Sequence, residues 1–428
     1  MTRLVVPLTD PEAVDAGRFG PKAANQAALG RAGLPIPDGF CLGAEAYRLQ
    51  LAELGLEEAV RAATSTQSAR ARHHLAEVRL GLFEQPIVPT VLKPLLGAWQ
   101  ALAAASDTLS VVRSSALMED RAGTTFAGQF ESFLGLDGEA DFLTAVRACW
   151  AALWSTRALR YMASHDLNPA ATAMALLVQP LVAARASGGG LSHTADGGML
   201  ISATWGLGSA IAQGEVVPDR FELSRDGQLR DAAPGRKDHL VGCVHYREEP
   251  TTSAVARELV SEPCLDGAQV VELGRMLRAA EDVLGVPVEI EWALDDGGFK
   301  LLQARPLHME PAQVPDEIWL RHPGLKGHPA GIGWGSGRAC VINCECELSR
   351  VAPGDVLVTR VPGPALSQVL PRVAGVVAEL GGSTSHLASL ARERGIPMVL
   401  GVLDATQLIP DGGQVAVDGV AGVVRWIR

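Results

Sequence analysis

The residue best placed for covalent chemistry is His386, within Gly381-Gly382-Ser383-Thr384-Ser385-His386-Leu387-Ala388-Ser389-Leu390-Ala391-Arg392-Glu393-Arg394-Gly395-Ile396-Pro397. Two glycines allow a tight turn without side chains, and Ser383 and Thr384 are natural N-caps. Leu387, Leu390 and Ala391 recur at helical spacing, and Gly395 with Pro397 stops the helix. His386 is therefore expected at a helix start. There the dipole disfavours imidazolium and keeps the ring neutral and nucleophilic, while free N–H groups favour an arriving phosphoryl group. The competing reading is a capping or surface histidine, which is what a lone His at a helix start usually is.

A second constellation lies in Val288-Glu289-Ile290-Glu291-Trp292-Ala293-Leu294 and Lys300-Leu301-Leu302-Gln303-Ala304-Arg305-Pro306, separated by Asp295-Asp296-Gly297-Gly298. This reads as a hairpin in which Glu289 shares a face with Glu291, and Gln303 with Arg305. Two carboxylates, an amide oxygen and a guanidinium suit a Mg-triphosphate, the hard oxygens for Mg²⁺ and the fork for phosphate. An exposed face with a salt bridge is the simpler alternative. Two further cations stand at loop edges. Lys22 follows a Gly-Pro turn at a helix start, and Arg113 is delivered by the short strand Leu109–Arg113 to a polar loop. Both fit phosphate recognition, and Arg113 could equally pair with Glu119 or Asp120.

The elements that must position these groups alternate between helical and strand patterns. Residues 44–105 and 266–285 have helical periodicity, and Trp150–Tyr161 reads as one amphipathic helix. Met174–Val182 reads as a buried strand, and Ser187-Gly188-Gly189-Gly190 as a loop. Residues 308–326 carry Pro311, Pro315 and Pro323 without periodicity and read as a linker. Beyond Gly327 the pattern turns to glycine-rich strands. A chain of 428 residues accommodates two or three domains. A net charge of -11 argues against a general nucleic-acid binder. No apolar run is long enough for a membrane span and no signal peptide is evident, so a cytoplasmic protein is expected. Of the seven cysteines, Cys340, Cys344 and Cys346 lie close together. Without a second pair they read as buried or edge-strand thiols rather than a metal site.

The His386 segment resembles the phosphohistidine signature of phosphoenolpyruvate synthase, pyruvate phosphate dikinase and their relatives. The pattern in that family is Gly-Gly-x-Thr-Ser-His, an Ala-Arg-Glu helix, then Gly-Ile-Pro. Other blocks resemble the family's ATP-binding domain in order. These are Gly20-Pro21-Lys22 with Ala32–Phe40, then Val112-Arg113-Ser114-Ser115 with Glu119-Asp120. Thr125-Phe126-Ala127-Gly128, Gly206–Asp219 and the two strands of the hairpin follow. Departures are Pro21 for a glycine, Thr125 for a serine, Ser209 for a glutamate, Leu387 for an alanine, and the glycines at 188–190. The resemblance implies an α/β and α+β multidomain fold. An ATP-grasp-like nucleotide domain (residues 1–307) is followed by the linker (308–326) and a small swivelling β/α phosphohistidine domain (327–428). It implies ATP contacts from Lys22, Arg113, Gly128, Gln179, Glu289, Glu291, Gln303 and Arg305. Glu291 and Gln303 would hold Mg²⁺, Arg305 the terminal phosphate, Gln179 the adenine side and Glu289 the nucleoside side. His386, Arg305 and Lys22 are the catalytic residues that it implies.

In this family the histidine attacks the β-phosphoryl group of ATP, AMP is released, and the swivelling domain carries the phosphoryl group to an acceptor. The larger relatives continue into a (β/α)₈ barrel that binds pyruvate, and this chain stops at Arg428. The expectation is a split phosphotransferase with a separate acceptor-binding subunit and a small acceptor such as a phenol, an alcohol or a pyruvate-like molecule. A self-contained enzyme with the acceptor in an interdomain cleft, and a relay that phosphorylates a protein, are the alternatives.

Overall fold

A computed structural model describes residues 3–65, 69–106, 108–120, 125–130, 132–241, 252–308 and 324–427. The chain forms two compact units. Among the described residues, one comprises those of Met1–Ala183 and Lys300–Arg305, and the other those of Ala184–Gly242, Pro250–Phe299 and Pro306–Arg428.

The first unit is built on an antiparallel sheet ordered β1-β2-β5-β3-β4. Its strands are β1 (Val5–Pro7), β2 (Phe40–Leu42), β3 (Ser110–Ala116), β4 (Ser132–Leu136) and β5 (Met174–Pro180). The helices are α1 (Ala16–Arg31), α2 (Ala44–Glu53), α3 (Glu57–Ser65), α4 (Ala69–Glu84), α5 (Pro89–Ala105), α6 (Glu139–Ala152) and α7 (Thr156–Ser164). Strand β5 is buried along nearly its whole length, as a central strand covered on both faces must be. Helix α1 packs Phe19, Ala23 and Ala27 onto Cys41 and Leu177 of this sheet. Two helices replace the single one expected over Trp150–Tyr161. Helix α6 ends at Ala152 and α7 restarts behind Ser155, whose side chain accepts from the Ala158 N–H. That N-cap outweighs the apolar periodicity that runs across the break.

In the second unit an antiparallel sheet is ordered β12-β6-β7-β8-β9. Its strands are β6 (Ala186–Leu191), β7 (Met199–Trp205), β8 (Asp219–Leu223), β9 (Leu229–Ala233) and β12 (Val288–Asp295). The short helix α8 (Ser209–Ala212), the ribbon of β10 (His239–Val241) with β11 (Thr252–Ala254), and helix α9 (Gly267–Leu284) complete this part. Helix α9 starts with a full capping box from Asp266 and Gln269, and Gly285 ends it at φ 71°. The expected glycine loop at 187–190 is instead the middle of β6. A Cβ on Gly188 would sit 1.9 Å from the Ser202 carbonyl oxygen, so the glycines mark close approach within a sheet rather than a loose turn. Strand β13 (Gly298–Pro306) returns from β12, and its residues Lys300–Arg305 belong to the first unit.

The remaining strands make an eight-stranded sheet ordered β14-β21-β20-β16-β17-β18-β19-β15. They are β14 (Gly324–Lys326), β15 (His328–Pro329), β16 (Trp334–Ile342), β17 (Val356–Thr359), β18 (Gly375–Ala378), β19 (Met398–Leu400), β20 (Gln414–Asp418) and β21 (Val423–Ile427). Helices α10 (His386–Glu393) and α11 (Ala405–Leu408) accompany them. Strands β16, β17, β18 and β19 run parallel, with valines from all four in one core. Strand β14 pairs with β21, so Gly324–Lys326 is sheet, and residues 309–323 of the expected linker lie outside the described residues. Cys344 and Cys346 are disulfide-bonded on the surface, a correction to their reading as thiols, whereas Cys340 is a buried free thiol.

Candidate active site

The site residues expected from the sequence in the first unit are placed by unusual backbone. Helix α1 is broken at Gly20, which takes φ 73°, and Lys22 stands in the first turn after the break. A Cβ at Gly20 would lie 2.3 Å from the Ser115 carbonyl oxygen, and the Ser115 hydroxyl accepts from the Ala23 N–H at 3.2 Å. Only glycine combines that φ with that approach, so the turn that lifts Lys22 rests directly on β3, the strand that carries Arg113. Lys22 Nζ lies 3.0 Å from Oε2 of the fully buried Glu119. Among the described residues this is a pairing that sequence reasoning missed, because it had considered Glu119 only as a partner of Arg113.

The same helix holds the strand bearing Gln303 and Arg305. Asn25 donates to the Ala304 carbonyl at 3.0 Å and Gln26 to the Leu301 carbonyl at 2.5 Å. Lys22, Gln303 and Arg305 thus belong to one hydrogen-bonded assembly, and both β13 side chains are buried. Gly128 takes φ 66° in a turn fixed by the Thr125 hydroxyl, which accepts from the Ala127 N–H, and by Tyr161, which accepts from the Phe126 N–H. Gln179 is buried on β5 and donates its amide proton to the Pro37 carbonyl at 3.0 Å, which fastens the proline-rich connection.

Burial pushes the Glu119 carboxyl up to about 7, Asp120 adds to the shift, and the Lys22 ammonium opposes it. The unfolded group titrates near 4.5. The folded state therefore has its full advantage below pH 4.5 and loses it as the pH rises through 7. In Glu119→Gln this dependence is absent. Between pH 4.5 and 8 the wild-type nucleotide-free protein is expected to lose up to about 3 kcal/mol more unfolding free energy than the variant. Urea melts across that range measure it, and parallel curves would count against a buried titrating Glu119.

In the second unit, His386 is the first residue of α10, as its sequence neighbourhood predicts. The cap is one residue later than expected: Ser385 accepts from the Ala388 N–H at 3.2 Å. Ser383 donates instead to the Pro329 carbonyl at 2.5 Å, and the Thr384 hydroxyl is buried. The loop before the helix is seated on the segment that contains Val216 and Pro218. Gly381 N–H donates to the Val216 carbonyl, and a Cβ on Gly382 would meet Pro218 at 2.5 Å. Glu289 and Glu291 lie on β12. Glu289 is buried and accepts from Ser389 and Arg392 of α10. Sequence reasoning assigned no task to either partner, although Ser389 stands about one helical turn beyond His386 and Arg392 about one turn beyond Ser389.

Among the described residues no three His, Cys, Asp or Glu side chains form a ready-made metal cluster. Magnesium is usually held by one or two carboxylates together with substrate phosphates, and the Glu291 carboxylate on β12 has that donor chemistry. A cavity of about 320 Å³ bounded by Leu200, Arg220, Glu222 and Ile332 contains none of the ATP-directed residues expected from the sequence. No single helix among the described residues is long and apolar enough to cross a membrane.

A broken helix lifting a lysine, a strand with acidic positions two apart and a helix-start histidine on a mixed sheet are the chemical features that this chain presents. Residues 16–320 match the family described as "Pyruvate phosphate dikinase, AMP/ATP-binding domain", and residues 351–422 match "PEP-utilising enzyme, mobile domain". The chain belongs to the phosphoenolpyruvate synthase and pyruvate phosphate dikinase family. It is 31% identical over 424 residues to the probable phosphoenolpyruvate synthase of Methanothermobacter thermautotrophicus, covering 96% of this chain and 61% of that protein. The phosphoenolpyruvate synthase of Pyrococcus furiosus is 29% identical, covering 96% and 57% respectively. That of Escherichia coli is 30% identical, covering 92% and 53%. The chain thus spans little more than half the length of these relatives. Among solved structures, the D-alanine-D-alanine ligase of Coxiella burnetii aligns at 10% identity and a TM-score of 0.26, covering 69% of this chain and 49% of that one.

Proposed function

We propose that this chain performs the ATP half-reaction of a dikinase-type phosphotransferase. A neutral ring nitrogen of His386 attacks Pβ of MgATP. An N–P bond forms, the Pα–O–Pβ bridge breaks, and AMP departs with the bridging oxygen. The terminal phosphoryl group of the resulting pyrophosphohistidine then passes to water or to phosphate, which leaves phosphohistidine and releases orthophosphate or pyrophosphate. Lys22, Arg113 and Arg305 neutralise charge on the triphosphate. Glu291 and Gln303 would hold Mg²⁺, which supplies further neutralisation when bound. Gly128 and Gln179 belong to the phosphate and adenine sides, with Glu289 on the nucleoside side.

The observation that carries this reading is His386 at the first position of α10, in a chain that also holds the family's ATP-binding domain. The phosphoryl group is proposed to pass to a small acceptor such as a phenol, an alcohol or a pyruvate-like molecule. That acceptor would be bound by a partner subunit or by sequence beyond these residues. Incubation of the purified chain with ATP labelled at the β-position tests the first half. One AMP per chain and an acid-labile label on the protein are expected, and ADP as the product would sink the reading. Continued AMP release on adding a small acceptor alone would instead locate the acceptor site within this chain.

A further inference from the structure

Helix α10 does more than present His386. One turn beyond the histidine, the Ser389 hydroxyl lies 3.1 and 3.0 Å from Oε1 and Oε2 of Glu289. A further turn along, Arg392 Nη2 donates to Glu289 Oε2 at 3.0 Å and to the Ser389 hydroxyl at 3.1 Å. The other terminal nitrogen of Arg392 donates to the carbonyls of Ser383 and Ala330. Arg392 thus ties the His386 loop, through Ser383, to a carboxylate on β12. Both charged side chains are 7% exposed. Beside this cluster, a Cβ on Gly189 would lie 2.5 Å from Cβ of Thr384, so the residue two before His386 rests on bare backbone of β6. Ion pair, hydroxyl relay and glycine seat all join the histidine helix to the sheet that carries Glu291.

We propose that Glu289, Ser389 and Arg392 form a latch that docks the His386 helix against β12 for the ATP step, with Glu289 a positioning residue in addition to any contact with the nucleotide. The role in orienting His386 rests on the dikinase reading above, whereas the docking itself does not. A buried ion pair suits such a task. Its Coulombic gain and desolvation cost nearly cancel, so docking is specific in geometry without being irreversible.

The test introduces a reporter thiol, Thr384→Cys, whose reaction with a maleimide is slow while the loop rests on Gly189. Adding Glu289→Gln or Arg392→Gln is expected to speed modification by at least about tenfold, as the loss of a charged hydrogen bond implies. The double change should add little to either single one, since both break the same latch. Buried Cys264 serves as the internal control for unfolding. Unchanged reactivity of the introduced thiol, or equal acceleration at Cys264, would overturn the latch. In ATP labelling, Ser389→Ala should lower the rate at which His386 is phosphorylated by about five- to twentyfold with unchanged ATP affinity. A change confined to ATP affinity contradicts a positioning role. The thiol assay contains no ATP, so latch-dependent protection without any labelling would count against the dikinase reading alone.

Discussion

Replacing His386 by asparagine is expected to abolish ATP-dependent labelling of the protein and to reduce AMP formation by at least about a thousandfold, because the reaction then has no nucleophile. Asparagine is chosen to keep a polar group of similar reach at the first position of α10. The helix keeps its cap and its inner face in this variant: Ser385 caps it, and Leu387, Ala388, Leu390 and Ala391 bury its inner face. The melting temperature and ATP affinity of His386→Asn should therefore match those of the wild type. Scintillation counting after mild-acid and mild-base treatment gives the readout, since a phosphoramidate is lost in acid and survives base. Persistent acid-labile label on the variant would move the nucleophile to another histidine.

The second large effect concerns stability. Asp219 and Lys237 are both entirely buried and form an ion pair. Asp219 also accepts from the Gly235 N–H at 2.7 Å and from the Cys264 N–H at 2.8 Å, so its lone pairs are well used. Asp219→Ala leaves an ammonium in the interior with its counter-ion gone and is expected to cost about 3–5 kcal/mol. The joint change Asp219→Leu with Lys237→Met removes both charges and should recover part of that loss. Recovery stays partial because two backbone N–H groups lose their acceptor. Urea denaturation measures both, and a cost below about 1 kcal/mol for Asp219→Ala would count against a structural role for the buried ion pair. The consequence reaches the proposed active site. Asp219 follows Pro218, which packs on Gly382 in the turn before His386. A loosened β8 is expected to slow labelling of His386 even where the fold survives.

Much of the His386 segment was legible because its cues are local. Glycines, serine caps, helical spacing and a Gly-x-Pro stop act within a few residues, and the structure places the helix from His386 to Glu393. The capping box of α9 and its left-handed Gly285 are equally short-range. Errors arose where two local signals competed or where a glycine had two possible meanings. Apolar periodicity concealed the break at Ser155. Gly188–Gly190 read as a flexible turn, although they are bare because Ser202 and Thr384 approach them from other parts of the chain. Cys344 and Cys346 gave no sign from spacing alone that they would be joined.

The sequence by itself determined which residues are candidates for chemistry: a helix-start histidine, acidic positions alternating along one strand, and cations at loop edges. Each follows from the period of a helix or strand and from the φ freedom of a single residue. Only the tertiary structure decided what those residues face. Lys22 meets Glu119 across 97 positions, Asn25 holds the Ala304 carbonyl across 279, and Glu289 receives Arg392 across 103. Such pairings depend on which backbones the core brings together. Burial then sets their strength by removing the water that would otherwise screen them, and neither effect is written in the spacing of nearby residues.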